Sequence, residues 1–242
     1  MPSASDVAVV ALTRDLALVQ TRHAERAAHP ALAGALAHLA AWQVRRLRRA
    51  YADLEATPRY AAAMQFFESD LYGGRDFAQR DADLARIVPA MKRLLPAGVL
   101  ETVATAVELN ALSLALDRAM IDELGTLGRD FRVADYCAAY RRVGQFPRRL
   151  RQIRLIGDVG VALDRYVHKP MVHAALRLMR KPAHAAGLAA LQDFLERGFD
   201  AFARMGGAVE FLATIESRET LLHEAIAAGS NDPFPDPRGS EQ

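Results

Sequence analysis

Residues 96–124, PAGVLETVATAVELNALSLALDRAMIDEL, decide the fold, because they form the most apolar segment of the chain and carry helix signals at both ends. Pro96 suits the first turn of a helix, and Gly125 suits the position after its last turn. Alanine and leucine, both strong helix formers, dominate the segment. A helix that is apolar on most of its sides is usually surrounded by other helices. We therefore expect this segment to lie near the centre of a helical bundle.

The rest of the chain repeats these helix signals and lacks the sustained apolar–polar alternation that is typical of strands. Proline or a capping residue stands where each new helix would begin. The predicted helices span about residues 6–26, 30–56, 58–72, 76–95, 96–124, 133–143, 147–168, 170–180, 182–205 and 207–228. We predict one all-α bundle domain over residues 1–228. It has about nine or ten helices, because Gly206–Gly207 either breaks the chain into two helices there or only kinks one. Residues 229–242 are rich in Pro, Gly and Ser, and we predict that they are disordered.

The composition excludes several classes of protein. The formal net charge is only +2, so no overall electrostatic field would drive binding to nucleic acid. A single cysteine excludes an internal disulfide and a cysteine-based zinc cluster. The first 20 residues lack the basic start of a secretory signal, and no uncharged apolar run is long enough to cross a membrane. We therefore expect a cytoplasmic protein that does not bind a membrane.

The stretch MQFFESDLYGGRDFAQRD, residues 64–81, has the features of a corner between two helices. Gly73 and Gly74 can end one helix, and Asp76 with Gln79 has the spacing of a capping box for the next. The aromatic side chains would anchor the corner in the core. These features leave four charged residues unexplained, namely Glu68, Asp70, Arg80 and Asp81.

The same stretch resembles the signature of a family of uncharacterised bacterial proteins that is named for an FFLEELY motif. The match runs over Phe66-Phe67-Glu68-Ser69-Asp70-Leu71-Tyr72, followed by Asp76, Arg80 and Asp81. The two aromatics, the Leu-Tyr pair and the later Arg-Asp pair agree, whereas Glu68-Ser69-Asp70 departs from Leu-Glu-Glu. The resemblance implies a family without an assigned activity, so it supplies no catalytic residues.

Glu108 lies in the most apolar predicted helix, and a buried carboxylate needs a partner or must take up a proton. One hypothesis is a polar pocket around Glu108 that also includes Tyr72, Arg80 and Asp81, beside Glu68 and Asp70. The alternative is a structural ion pair between Glu108 and a core arginine such as Arg80 or Arg86.

Six arginines fall within residues 141–154, and guanidinium groups offer paired donors that suit phosphate and carboxylate. These candidate anion-binding residues are Arg141, Arg142, Arg148, Arg149, Arg151 and Arg154. The alternative is a solvated basic face paired with acids elsewhere. Nucleic acid is disfavoured as a partner, because no recognisable nucleic-acid module or aromatic platform accompanies the cluster.

No metal site is predicted, because the chain lacks the Glu-x-x-His pairs of di-metal bundles. The nearest substitutes are Asp164 with His168 and Glu219 with His223, at a spacing of four residues. No cofactor is predicted either. Three functions stay open, and the favoured one is a non-enzymatic binding or protein-interaction protein, with an acidic protein, an anionic ligand or a second copy as candidate partners. The others are a bundle enzyme or small-ligand binder using Glu108, and a phosphate or nucleic-acid binder using the arginines.

Overall fold

The computed structural model describes residues 3–71, 77–125 and 131–238, and it confirms the all-α bundle. These residues form eleven α-helices and no strand: α1 Ala4–Ala28, α2 Pro30–Ala50, α3 Ala52–Glu55, α4 Pro58–Phe66, α5 Ala78–Leu94, α6 Ala97–Leu124, α7 Val133–Val143, α8 Phe146–Val167, α9 Pro170–Ala185, α10 Ala189–Met205 and α11 Val209–Ala227. A π-helical turn, Phe67–Leu71, continues α4.

The helix ends follow local chemistry at most positions. Ser3 caps α1 in a reciprocal capping box with Asp6, so Asp6 is the third residue of the helix and not its cap. Gly144 and Gly206 end α7 and α10 in the left-handed conformation, which glycine adopts without steric cost. The glycine stop and the Asp76 cap that were predicted for residues 73–76 lie outside the described residues, as does Tyr72.

Two predicted boundaries differ from the structure. The helix expected over residues 30–56 breaks at Tyr51, whose backbone has left the helical region at φ −124° and ψ 22°. Tyr51 is buried, and its hydroxyl donates to Glu219 of α11, so a tertiary contact accompanies the break. Pro182 lies inside α9 and does not begin α10. A proline near the last turn removes only one internal hydrogen bond, so the helix continues to Ala185.

Helix α6 occupies the central position that its composition predicts. It packs against α1, α2, α7 and α8, and its residues Leu100, Leu116 and Met120 are fully buried. By length and composition alone, α6 is also apolar enough to cross a membrane, the one helix of the described residues that meets this test.

An aromatic cluster joins α2 and α7 to the residues that follow α11. Trp42 stacks on Tyr136 at 4.7 Å between ring centroids, and Phe131 lies 5.0 Å from Trp42. Phe234 completes the cluster edge-on to Trp42 at 5.8 Å and is buried. Residues 229–238 therefore contact the domain through Phe234 and through hydrogen bonds from Arg49 and Arg141.

Candidate functional site

The Arg80–Asp81 pair of the corner is satisfied by protein groups from three helices. Asp81 lies in the first turn of α5, and its Oδ2 atom lies 2.8 Å from the Nε2 atom of His23 on α1. The Asn110 amide of α6 donates to the same Oδ2 atom at 3.1 Å, and the Oδ1 atom accepts from Arg80. Burial raises the pKa of the Asp81 carboxyl, but the His23 hydrogen bond and the Arg80 charge outweigh burial and leave the pKa below its usual value. This network holds α1, α5 and α6 together.

The two acids of the π-helical turn also have partners, and these come from distant parts of the chain. Arg48 of α2 donates to Glu68 at 2.8 Å, and Arg197 of α10 donates to Asp70 at 2.7 Å. Both acids are buried, at 7% and 1% exposed. The four corner charges therefore do not form a cluster of their own. Arg80 and Asp81 pair with each other. Glu68 and Asp70 pair instead with arginines that are distant in the sequence.

The structure does not place Glu108 in a pocket with these residues. Its side chain is one-third exposed, and both of its oxygens accept from Arg151 of α8 at 2.9 Å. Asn110, which binds Asp81, lies two positions further along α6, and residues two apart on a helix point in roughly opposite directions. The predicted Glu108 pocket is thus replaced by an ion pair, and the partner is Arg151 and not Arg80 or Arg86.

Half of the arginine cluster is used to fasten neighbouring segments. Arg141 donates to the Ser230 carbonyl at 2.9 Å and to the Asn231 side chain at 2.6 Å. Arg142 pairs with Glu123 at 2.8 Å, which ties α7 to the end of α6. Together with the pair between Arg151 and Glu108, these contacts account for three of the six predicted anion-binding residues.

The remaining three arginines differ in burial. Arg148 and Arg154 are exposed, and Arg148 donates only to Gln145 within the described residues. Arg149 is 7% exposed, and its guanidinium lies 4.7 Å from the ring centroid of Tyr140. Its Nη2 atom is buried without a hydrogen-bond partner. A buried cation normally has an ionic partner, so Arg149 is the exception in this cluster.

Arg149 lines a cavity of about 40 Å³ between α2, α7, α8 and α11, which we call the Arg149 cavity. Its polar lining consists of Arg46, Tyr136, Tyr140, Arg149, Gln152, Glu219 and His223. Three apolar side chains, Ile153, Leu222 and Ile226, complete it. Four separate helices thus bring their polar groups to one partly open cavity.

The second arginine of the cavity is neutralised. Arg46 is 6% exposed and forms two parallel hydrogen bonds to Glu219, at 2.9 and 3.1 Å. Tyr51 donates to the same carboxylate at 2.7 Å. Burial raises the pKa of the Glu219 carboxyl, yet the Arg46 charge and these hydrogen bonds outweigh it and lower the pKa overall. Burial likewise lowers the pKa of Arg46, and Glu219 more than reverses that effect. Both groups are therefore charged at neutral pH.

His223 and Tyr140 also line the cavity and form a neutral pair. The Tyr140 hydroxyl lies 2.7 Å from Nδ1 of His223. Burial and the charge of Arg149 lower the pKa of His223, so the neutral imidazole is favoured. Burial also raises the pKa of Tyr140, which keeps the phenol protonated. The pair can exchange hydrogen bonds with a ligand without adding charge.

Asp117 of α6 lies within electrostatic reach of the cavity. Gln43 donates to its carboxylate at 3.1 Å. Burial raises the pKa of Asp117, and this effect outweighs the opposing influence of Gln43 and of the Arg149 charge.

Sequence reasoning identified some of these residues but not their grouping. Glu219 and His223 were noted as a pair with metal-binding spacing, and here each has a protein partner, Arg46 and Tyr140. Among the described residues, no three His, Cys, Asp or Glu side chains are grouped so that they could hold a metal ion. Tyr140 and Gln152 carried no sequence signal, because nothing local marks a tyrosine as facing a cavity.

Comparison with known proteins gives a family but no activity. Neither a curated protein nor a solved structure matches the chain. A family described as "Domain of unknown function (DUF8198)" matches residues 22–233, which contain all of the cavity-lining side chains. Since the match covers most of the chain, this protein belongs to the DUF8198 family, whose function is unknown.

Proposed function

We propose that this domain is a non-enzymatic binding protein that holds one small anion in the Arg149 cavity. The observation that carries the proposal is the buried Nη2 atom of Arg149, which has no hydrogen-bond partner and belongs to a residue that lines this partly open cavity. Leaving a buried charged donor without a partner lowers the free energy of unfolding by about 3 kcal/mol. An anion that accepts from Nη2 would remove this cost.

The charge balance of the cavity favours an anion over a neutral ligand. Arg46 and Glu219 cancel each other, which leaves Arg149 as the excess charge. Arg149 also lies in the first turn of α8, where the helix dipole disfavours a cation. Asp117 is a nearby acid, but its side chain does not line the cavity.

The size of the cavity limits the ligand. A water molecule occupies about 10–15 Å³ of such a volume, so 40 Å³ corresponds to about three waters. Inorganic phosphate or a short carboxylate is of this size, whereas a nucleotide is much larger. Ordered water is the competing occupant, since it would also satisfy Nη2.

We further propose that the FFLEELY-type corner serves as scaffold and not as the ligand site. Glu68, Asp70, Arg80 and Asp81 each have protein partners, and these partners tie the corner to α1, α2, α6 and α10. A polynucleotide-binding face is less well supported, because within the described residues only Arg148 and Arg154 of the arginine cluster are both exposed and without an acidic partner.

Anion-dependent thermal stability tests the proposal. The purified protein is unfolded in phosphate, acetate or chloride over a concentration series, with ionic strength held constant so that screening does not vary. We expect saturable stabilisation by at least one anion, reaching about 2.7 kcal/mol at 100 times its Kd. The Arg149→Gln variant should lose this dependence. Arg148→Gln, one position away but exposed, should keep it.

One further variant and two stated failure conditions keep the test decisive. If Arg149→Gln does not fold, the isosteric Asp117→Asn variant should bind the same anion more tightly by calorimetry, because a competing negative charge is removed. The proposal fails if no anion stabilises the wild-type protein saturably, which is the result expected for a cavity that holds water. It fails equally if Arg149→Gln retains the full effect.

A further inference from the structure

Helix α9, Pro170–Ala185, exposes apolar side chains on the side that faces away from the domain. Met171 is 84% exposed and Leu178 is 78% exposed. They are seven residues apart, which puts them on the same side of the helix. Ala174 and Ala175 are exposed between them, and Pro182 continues the row. We call these five residues the α9 face.

The opposite side of α9 is anchored, so the exposure is not that of a detached helix. Ala183 is buried, and the His173 ring packs edge-on against Phe199 at 6.0 Å. Gln192 of α10 donates to the Leu176 carbonyl at 2.7 Å. The helix is therefore fixed on α10 and presents the α9 face in a defined orientation.

The charged side chains that belong to α9 itself all have one sign. The helix contains Arg177, Arg180 and Lys181 and no acidic residue. Arg180 is paired with Glu196 of α10, whereas Arg177 and Lys181 are exposed and form no ion pair within the described residues. Because each residue of an α-helix is rotated by about 100° from the one before it, Arg177 and Lys181 lie on the same flank of the apolar row.

We propose that the α9 face docks an acidic amphipathic helix of a partner protein. The two large side chains with alanines between them form a seam into which a partner side chain can insert, and methionine adapts readily to such a contact. The flanking cations select a partner that carries Asp or Glu beside its apolar row. A second copy is a poorer occupant of this face, because α9 has no acid to pair with the Arg177 and Lys181 of its twin. A membrane surface is poorer too, since an interfacial helix needs a broader apolar face.

A synthetic helical peptide provides the probe. It has about 18 residues, which form five turns of helix. Leucines spaced alternately three and four residues apart form one apolar row, and glutamates flank this row. A control peptide has lysine in place of each glutamate. Binding to the full chain is followed by fluorescence anisotropy. We expect the Glu peptide to bind with saturation and the Lys peptide roughly tenfold more weakly or not at all at low salt.

Matched surface variants locate the contact. Leu178→Glu should weaken binding of the Glu peptide roughly tenfold or more, because it removes an apolar anchor and adds a like charge. Leu94→Glu is the control, since Leu94 is 79% exposed at the end of α5 and is not part of the α9 face. It should leave binding unchanged. Both positions are exposed, so neither change threatens folding.

Four results would overturn the proposal. The first is absence of saturable binding of the Glu peptide, and the second is equal binding by the Leu178→Glu and Leu94→Glu variants. The third is Leu178-dependent binding to vesicles of anionic lipid without peptide binding, which would identify a membrane site. The fourth is a dimer that Leu178→Glu abolishes and that competes with the peptide, which would identify a second copy as the occupant. Binding of the peptide to the Arg149→Gln variant should be unchanged, so this test is independent of the cavity.

Discussion

Helices α8 and α11 approach each other closely at Gly160, and substitution by alanine there should be destabilising. A Cβ atom at Gly160 would lie 2.4 Å from Cδ2 and 2.8 Å from Cδ1 of Leu212, with Cγ at 3.2 Å. Leu212 is 4% exposed, so its side chain cannot swing into solvent. Gly157, one turn earlier on the same helix, is the matched control. A Cβ atom there meets only the Glu216 Oε2 atom, at 3.4 Å.

The magnitudes follow from two opposing effects. Replacing glycine inside a helix by alanine stabilises by about 0.5–1 kcal/mol, because the unfolded chain loses conformational freedom. Overpacking a core costs about 1–3 kcal/mol. Gly157→Ala should therefore stabilise the protein by about 0.5–1 kcal/mol, while Gly160→Ala should destabilise it by up to about 2 kcal/mol. Each kcal/mol of difference corresponds to about 2–4 °C in Tm for a chain of this size.

Urea unfolding monitored by circular dichroism measures both variants. The Leu212→Ala background supplies the internal check, because it removes the atoms that would clash. In that background Gly160→Ala should no longer destabilise the protein, and its effect on the free energy of unfolding should resemble that of Gly157→Ala. The difference between the effects of Gly160→Ala with and without the Leu212 side chain measures the contact directly. The reasoning is refuted if Gly160→Ala is as stable as Gly157→Ala, or if its cost is the same with and without the Leu212 side chain.

Three further stability predictions concern titratable groups. Removing the charge of Glu219 by Glu219→Gln should destabilise by about 3 kcal/mol, because Arg46 is left buried without an ionic partner. Glu108→Gln breaks the half-exposed pair with Arg151 and should lower the free energy of unfolding by less than about 1 kcal/mol. If urea unfolding gave equal losses for Glu108→Gln and Glu219→Gln, the argument from their different burial would be contradicted. The pKa of His223 is lowered in the folded state, so the unfolded chain binds more protons and the free energy of unfolding should fall as the pH drops below about 6.5. His223→Asn should make this decline shallower between pH 7 and pH 5, and identical pH profiles would show that His223 does not cause it.

Much of the helix pattern could be predicted because its causes are local. Proline at a first turn, glycine after a last turn and the apolar character of residues 96–124 act within a few residues of the sequence. The misplaced boundaries have other causes. Tyr51 interrupts a helix where the local sequence favours one, and its side chain reaches α11. Phe234 could not be recognised as a core residue from a tail rich in proline, because its neighbours in the core are Trp42 and Tyr136.

The candidate site was less predictable for the same reason. Arg149 stood among six arginines that the sequence could not distinguish, and only its burial separates it from Arg148. Glu108 drew attention because its helix is apolar, yet α6 turns that side chain toward Arg151 and not toward Asp81. A carboxylate in an apolar sequence can thus be exposed, since helix rotation and not composition decides which way it points.

The sequence alone determined that this protein is helical, that α6 lies at its centre and that the charges of the corner require partners. It did so because helix propensity, capping and apolar content are properties of short segments. Only the tertiary structure decided which charges are paired, that the Nη2 atom of Arg149 is buried without a hydrogen-bond partner, and that α9 presents an apolar face. These outcomes depend on how helices far apart in the chain pack against one another, which no local pattern encodes.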